Sequence, residues 1–374
     1  GADLSRGLGL STLLVRNDAN SGPSRFLSRK VLLMTRHLHL ALAVFGLTTV
    51  GCGDAPAPQT FEACTAPAQF SSPNPSYAWT PNAIRLVSQR MANGVFAVYD
   101  SNAAQYSPSG IPLATSGGFV IGENGVLLVE SMINRQLFCQ MIGLVRAETD
   151  KPVTHVVNTS SHGDHSFGNT FLPPNVHVVQ HQRTASYIAA HFQEDVAFMT
   201  MNFGADQGID EVRAVAADTL VDDSTPFKVD LGGIAVEARY YGFAQTGGDL
   251  FVHVPSAKVL WTGNPLVAAK PAVPWLLAGH GQEVERTLSQ VKAALPADTI
   301  IIPGHDHPTG TSEFDFSINY LNTMVREVGA AVSSGKSVDQ TVSTVTMTPF
   351  QGYKLWDWIH KIVNVPTTYS ELKK

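Results

Sequence analysis

Short apolar runs alternate with helical patterns along most of this chain. Nine runs have the length and composition of buried strands, and they fall at 94–99, 117–121, 126–130, 153–157, 176–179, 234–241, 250–254, 259–261 and 299–302. Apolar residues at helical spacing predict four helices, at 135–149, 184–192, 284–295 and 318–332. Glu123-Asn124-Gly125 predicts a hairpin turn between the second and third strands. Residues 193–225 follow neither period, which predicts a lid or an irregular insertion.

The order of these elements predicts the fold class. Two strand-rich halves are separated and followed by helices, and each sheet needs a helical layer to cover its apolar face. We therefore expect an α/β protein in which two sheets lie face to face between helices, a four-layer αββα sandwich.

The N-terminal residues have a different character from the rest of the chain. Residues 1–33 show no sustained period, and we expect them to be a non-native or disordered leader with Met34 as the true start. A short basic stretch followed by an apolar run makes 34–52 a predicted signal peptide. It resembles a bacterial lipoprotein signal, which would make Cys52 the lipidated residue. A Pro- and Ser-rich tether at 53–82 and a single folded domain at 83–374 follow.

Composition and charge limit the classes of binding partner and the cellular compartment that we expect. The chain has 374 residues, 44% of them hydrophobic, and a net charge of −6. No basic stripe occurs, so we expect a small-molecule substrate, no nucleic acid, and membrane contact only through the lipid anchor. The signal predicts export, either to the periplasm or as a membrane-anchored lipoprotein of a bacterium. In that compartment Cys64 and Cys139 either pair or remain two separate buried thiols, and the oligomeric state stays open.

The turn after the strand at 153–157 carries the candidate chemistry. Within 158–169, His162, Asp164 and His165 crowd into a glycine-containing turn. Imidazole and carboxylate groups packed this closely at a strand end are typical of a divalent metal site.

Four motifs in this order resemble the metallo-β-lactamase superfamily, with its glyoxalase II-like hydrolases. They are the hairpin 117–130, the Ser-x-His-x-Asp-His turn, Thr246-Gly247-Gly248-Asp249 with the strand to Asn264, and Ile302-Pro303-Gly304-His305. The resemblance covers about 94–347 and implies the αββα fold named for that superfamily.

The resemblance also implies two neighbouring metal positions joined by a bridging carboxylate, but the ligands of only one are intact. Three of the family's seven ligand positions carry weaker groups in this chain: Ser160, Gln245 and Asn264. The first two belong to the first metal position and the third to the bridge. Four positions are unchanged: His162, Asp164, His165 and His305. We therefore expect about one zinc or other divalent ion, held by Asp164, His165 and His305, with His162 as the remaining good ligand of the first position.

The expected function is that of an exported metal-dependent hydrolase. Metal-activated water, oriented by Asp164 with His162 as its neighbour, would attack an ester, lactone, thioester or β-lactam. One alternative is a non-catalytic or re-purposed member that binds a small ligand in a degenerate cleft, and a second is a β-lactamase of the one-zinc type. An iron-dependent dioxygenase is disfavoured, because the family positions that hold its iron fall on the three altered residues.

Overall fold

The computed structural model describes residues 59–374. The predicted leader at 1–33, the signal peptide at 34–52 and the lipidation site Cys52 lie outside the described residues. No helix in the described part of the chain is both long and apolar enough to cross a membrane.

The first sheet follows the order of the chain. Its seven strands in the described residues are β1 (Leu86–Ala92), β2 (Val95–Asp100), β3 (Gly117–Ile121), β4 (Val126–Val129), β5 (Val153–Val157), β6 (His177–His181) and β7 (Thr219–Val221). Strands β1 to β4 pair antiparallel, and β4 to β7 pair parallel. The hairpin predicted at 123–125 joins β3 to β4. The parallel part places the ends of β4, β5 and β6 at one edge of the sheet, which is where the metal-like turn begins.

The second sheet has six strands between residues 227 and 310. They are β8 (Phe227–Asp230), β9 (Ala235–Arg239), β10 (Phe251–Val254), β11 (Val259–Gly263), β12 (Ile300–Pro303) and β13 (Thr309–Gly310). Neighbours pair antiparallel except β11 and β12, which pair parallel.

Helices cover the outer faces of both sheets. The α-helices of the described residues are α1 (Ala103–Tyr106), α2 (Arg135–Glu148), α3 (Gly163–Ser166), α4 (Gln182–Phe203), α5 (Gly281–Ala293), α6 (Ser312–Ser333), α7 (Val338–Thr344) and α8 (Val365–Leu372). A π-helix spans Asp357–Asn364. Helix α2 shows how the sequence defines such an element: the Asn134 side chain accepts a hydrogen bond from Leu137 N at its start, and Leu137, Met141 and Val145 are buried on one face.

Three apolar cores separate the four layers. One lies between the first sheet and α2 and α4, and another lies between the second sheet and α5, α6 and the C-terminal helices. The third contains residues from both sheets, among them Val129 and Trp261. The indole of Trp261 also donates a hydrogen bond to Gly117 O (2.8 Å), which ties the sheets together near the candidate site. The predicted αββα fold class is confirmed.

The segment before β1 is anchored to this domain at two points. Phe61 and Trp79 are buried in the core beneath the first sheet, whereas residues 65–76 between them are exposed. A disulfide bond joins Cys64 to Cys139 on α2. Of the two alternatives for these cysteines, the structure shows the paired one.

Several predicted boundaries are wrong. Residues 193–203 are not part of an irregular insertion, because α4 continues without a break to Phe203. The sequence patterns also did not indicate β1, β8 or the helices after residue 333. Those last helices close the second helical layer, and Ile359 and Val365 are fully buried there.

Candidate metal centre

Two segments from different sheets bring the predicted ligands together. After β5 the chain turns into α3, a single helical turn that carries Asp164 and His165. His305 follows the end of β12, two residues beyond Pro303. Gly304 permits this approach, because a Cβ atom at that position would lie 2.5 Å from Asn264 Oδ1. The result is a buried group of Asp164, His165 and His305 whose potential ligand atoms all lie within 4.8 Å of one another.

Two of the distances within this group are close to those around a tetrahedral ion. Asp164 Oδ2 lies 3.4 Å from His305 Nε2 and 3.6 Å from His165 Nε2. A zinc ion with bonds of about 2.0–2.1 Å holds its ligand atoms about 3.3–3.4 Å apart. The other ring nitrogen of His305 donates to Leu113 O (3.0 Å), which leaves Nε2 as its electron-pair donor. Two imidazoles and one carboxylate therefore fit one zinc ion and leave a fourth coordination position to water or substrate.

The carboxylate of Asp164 is held in place by a hydroxyl. Thr115 Oγ1 donates to Asp164 Oδ2 at 2.6 Å. Burial alone would raise the pKa of Asp164, but the surrounding histidines, His165 foremost, and the Thr115 hydroxyl outweigh it and lower the pKa. Asp164 is consequently ionised at neutral pH.

His165 lies between groups that favour its positive charge. Its Nδ1 is 3.0 Å from Glu130 Oε1, a close charge contact rather than a well-directed hydrogen bond, and its Nε2 is 3.1 Å from Asn264 Oδ1. Burial alone would lower the pKa of His165, but the carboxylates of Asp164 and Glu130 outweigh it and raise the pKa to about 9. In the absence of a metal ion His165 is an imidazolium, so a cation has to displace its proton.

Asn264 connects His165 to His162. Its Oδ1 faces His165, and its Nδ2 donates to His162 Nδ1 at 3.1 Å. His162 therefore carries its proton on Nε2. Burial lowers the pKa of His162 to about 4, against the opposing effect of Asp164, and the ring stays neutral. His162 was also predicted as a metal ligand, but it lies beside the three-residue group rather than within it.

The two altered positions of the first metal site are both buried. Ser160 shapes the turn, where its Oγ accepts a hydrogen bond from His162 N (3.4 Å). Gln245 has neither its amide nitrogen nor its amide oxygen paired with any group in residues 59–374. Neither side chain supplies a strong zinc ligand, since a hydroxyl and an amide are weaker donors than imidazole.

Glu130 and Thr115 contribute to the site although neither was identified from the sequence. Glu130 had a signal in the sequence, because it is a charged residue directly after the apolar strand β4. In the structure its backbone has a positive φ of 68°, which is uncommon for a residue other than glycine. Its carboxylate also accepts hydrogen bonds from the backbone NH (3.2 Å) and the hydroxyl of Thr159. Thr115 has no comparable signal, since a lone threonine in a loop is common.

Comparison with known proteins agrees with this fold. The family model "Metallo-beta-lactamase superfamily" matches residues 110–305, a span that runs from the loop before β3 to the last ligand, and the chain belongs to this superfamily.

Individual relatives are distant. The chain is 27% identical over 110 residues to a hydroxyacylglutathione hydrolase of Ruegeria pomeroyi, a match that covers 29% of this chain and 42% of the relative. It is 25% identical over 131 residues to the hydroxyacylglutathione hydrolase of Brucella anthropi, covering 35% and 48% of the two chains. It thus spans less than half the length of either curated relative.

One solved structure extends the likeness in fold. The stereoselective inverting sec-alkylsulfatase from a Pseudomonas species superposes with a TM-score of 0.57 at 14% identity. The superposition covers 79% of this chain and 51% of the sulfatase.

Proposed function

We propose that this protein is a metal-dependent hydrolase that uses one divalent ion, with zinc as the best fit, held by Asp164, His165 and His305. The observation that carries the proposal is the convergence of these three donors at tetrahedral spacing with a fourth position left over. Such an ion lowers the pKa of a water molecule bound to it from about 15.7 to about 7 and polarises a carbonyl group.

The residues around the ion position have distinct roles in this proposal. Asp164, fixed by Thr115, is an ionised carboxylate that accepts a hydrogen bond from the attacking water. His162 is neutral and partly exposed, and its Nε2–H is free to donate to the carbonyl oxygen of a substrate. Glu130 holds the ring of His165 from the opposite side. This arrangement suits hydrolysis of an ester, lactone, thioester or β-lactam; the hydroxyacylglutathione hydrolase relatives support the thioester among these.

Metal analysis together with one substitution tests the proposal. Purified protein should hold about one equivalent of zinc, and His305→Ala should lose both the metal and the hydrolysis of model thioesters. His177→Ala is the matched control, because His177 is exposed and its neighbour is Asp218 (3.4 Å) rather than a ligand; it should retain both. Protein that contains no metal and gains none from added zinc would refute the hydrolase.

A second function is favoured by the state of His165 itself. Its charge is balanced by Glu130 and Asp164, and its Nε2 lies 3.1 Å from Asn264 Oδ1. A re-purposed protein that binds a small ligand beside the unpaired amide of Gln245 would use the same arrangement. This second function predicts that neither zinc nor a chelator changes the thermal midpoint. A chelator-sensitive hydrolase activity would exclude this function.

We further propose that the protein is exported, with Cys52 as the first, lipidated residue of the mature chain. The Cys64–Cys139 disulfide supports this, because structural disulfides persist mainly in oxidising compartments. Intact mass and N-terminal sequencing of protein from its native host provide the test. A peptide from residues 1–33 in the mature product would contradict it.

A further inference from the structure

An indole lies parallel to and offset from the ring of His305, the proposed ligand that follows the second sheet. Trp275 stacks on His305 with ring centroids 6.3 Å apart and an interplanar angle of 19°. His305 is buried, whereas Trp275 is only partly buried and still presents apolar surface. The surface beside the candidate metal position is therefore aromatic on this side.

A second indole meets the first at a right angle. Trp358 packs edge to face on Trp275, with centroids 5.5 Å apart at 81°, and it too is only partly buried. It comes from the π-helix Asp357–Asn364, a rare helix type that recurs at functional sites. Ile362, four residues further along that helix, is 62% exposed, and Leu277 is 39% exposed two residues after Trp275.

The same π-helix fixes the backbone that carries Trp275. Its last residue, Asn364, is fully buried, donates to Pro274 O (2.7 Å) and accepts from Leu276 N (3.0 Å). These are the backbone groups on either side of Trp275. Asn364 also donates to Tyr320 Oη (2.9 Å), so the loop is tied to α6 as well. A buried and fully paired network of this kind holds its loop in one position, and Trp275 is consequently a rigid wall rather than a mobile loop residue.

We propose that Trp275 and Trp358 form a subsite for a straight alkyl chain of the substrate, on the acyl side of the bond that is cleaved. The proposal rests on the hydrolase function proposed above and adds the substrate class to it. The position of the two indoles carries the proposal. Trp275 stacks beside the ring of His305 and Trp358 packs on Trp275, so a group bound by them lies next to the reacting bond. Flat aromatic surfaces and partly exposed aliphatic side chains gain free energy by covering apolar chains of this kind.

A chain-length series tests the subsite on the zinc-loaded protein. The kcat/KM for p-nitrophenyl acetate, butyrate and octanoate is measured for the wild type, Trp358→Ala, Trp275→Ala and the control Trp79→Phe. Trp79 is buried in the other outer core, beside Phe203, far along the chain from this corner. We expect kcat/KM to rise with chain length by up to about fourfold per methylene group in the wild type and the control. In Trp358→Ala the octanoate-to-acetate ratio should fall about tenfold, while the value for acetate changes by less than about threefold.

Two further outcomes separate this proposal from the hydrolase itself. An equal loss on all three esters, or no preference for longer chains in the wild type, overturns the subsite and leaves the hydrolase standing. If the wild type cleaves none of the esters, the hydrolase fails on these substrates, and quenching of tryptophan fluorescence by sodium octanoate decides the subsite. Saturable quenching in the wild type that is lost in Trp358→Ala and retained in Trp79→Phe supports the subsite. The absence of saturable quenching in the wild type overturns the subsite.

Discussion

Lowering the pH should weaken zinc binding through a single proton, the one on His165. At pH 6 the three ligands differ in their readiness to bind a cation. Asp164 is ionised because its pKa is lowered, and His305 is neutral because burial lowers its pKa to about 4. The pKa of His165 is raised to about 9, so only this ligand still carries a proton that zinc must displace.

The magnitude follows from that pKa. At pH 6 about one molecule in a thousand has a neutral His165, which weakens the apparent affinity about a thousandfold, or by about 4 kcal/mol. Each unit of pH between about 4 and 9 changes the population tenfold. Between pH 5.0 and 6.5, where a zinc-bound water with a pKa of about 7 is still protonated, the affinity should increase about thirtyfold.

Competition with a chromophoric chelator measures the affinity at each pH, and calorimetry in two buffers of different ionisation enthalpy counts the protons released. We expect one proton per zinc at pH 6. Glu130→Gln removes a charge that raises the pKa of His165, so this variant should release less than one proton per zinc at pH 6. An affinity that is independent of pH in this range, or release of two protons, would refute the reasoning.

Three other predictions concern stability. The double variant Cys64→Ser/Cys139→Ser opens a loop with a sequence separation of 75 residues and should lose up to about 4 kcal/mol of unfolding free energy, measured by urea denaturation; an unchanged urea midpoint would contradict this. Gly118→Ala places a Cβ atom 2.6 Å from the Trp261 ring and 2.4 Å from a backbone oxygen, which should cost about 1–3 kcal/mol in the same assay, and a more stable variant would be the contrary result. The stability of metal-free protein should fall from about pH 7 towards pH 9. Because the pKa of His165 is raised to about 9, its contribution is complete below pH 6.5 and is lost as the pH approaches 9. Below pH 7 the shifts oppose one another: His162 and His305, with pKa values lowered by burial to about 4, lose stability on acidification, whereas Asp195 and Asp249, with pKa values raised by burial to about 7, gain it. A thermal midpoint that rises steadily from pH 7 to pH 9 would show that the shift of His165 is wrong.

The parts of the fold that the sequence predicted are those with one strong local pattern. Strand β4 is a continuous apolar run and β5 is apolar at Val153, Val156 and Val157, and the structure starts β5 and ends it at the predicted residues. Strand β1 was missed because it is half exposed, with Gln89 and Arg90 facing solvent, and so lacks a continuous apolar run. The π-helix was missed because its eight residues are fewer than the stretch over which helical periodicity can be recognised.

Some residues of the candidate site could likewise be predicted from local sequence patterns, and others could not. The motif around Asp164 and His165 is local and could be identified together with its family. The proximity of His305 depends on how two sheets pack, and only the resemblance indicated it. The role of Asn264 was not predictable, because the sequence shows only that a bridging carboxylate is missing. The structure shows that the Asn264 amide contacts two histidines: Oδ1 faces His165 Nε2, and Nδ2 donates to His162 Nδ1.

The three ligands also lie on the two sides of the sandwich, and this has a mechanical consequence. Asp164 and His165 follow a strand of the first sheet, and His305 follows a strand of the second. An ion bound by all three would connect the two sheets at this edge of the sandwich. Binding and release of the ion should therefore change amide hydrogen exchange at the ends of β5 and β12 together, and leave the opposite edge of the sandwich unchanged.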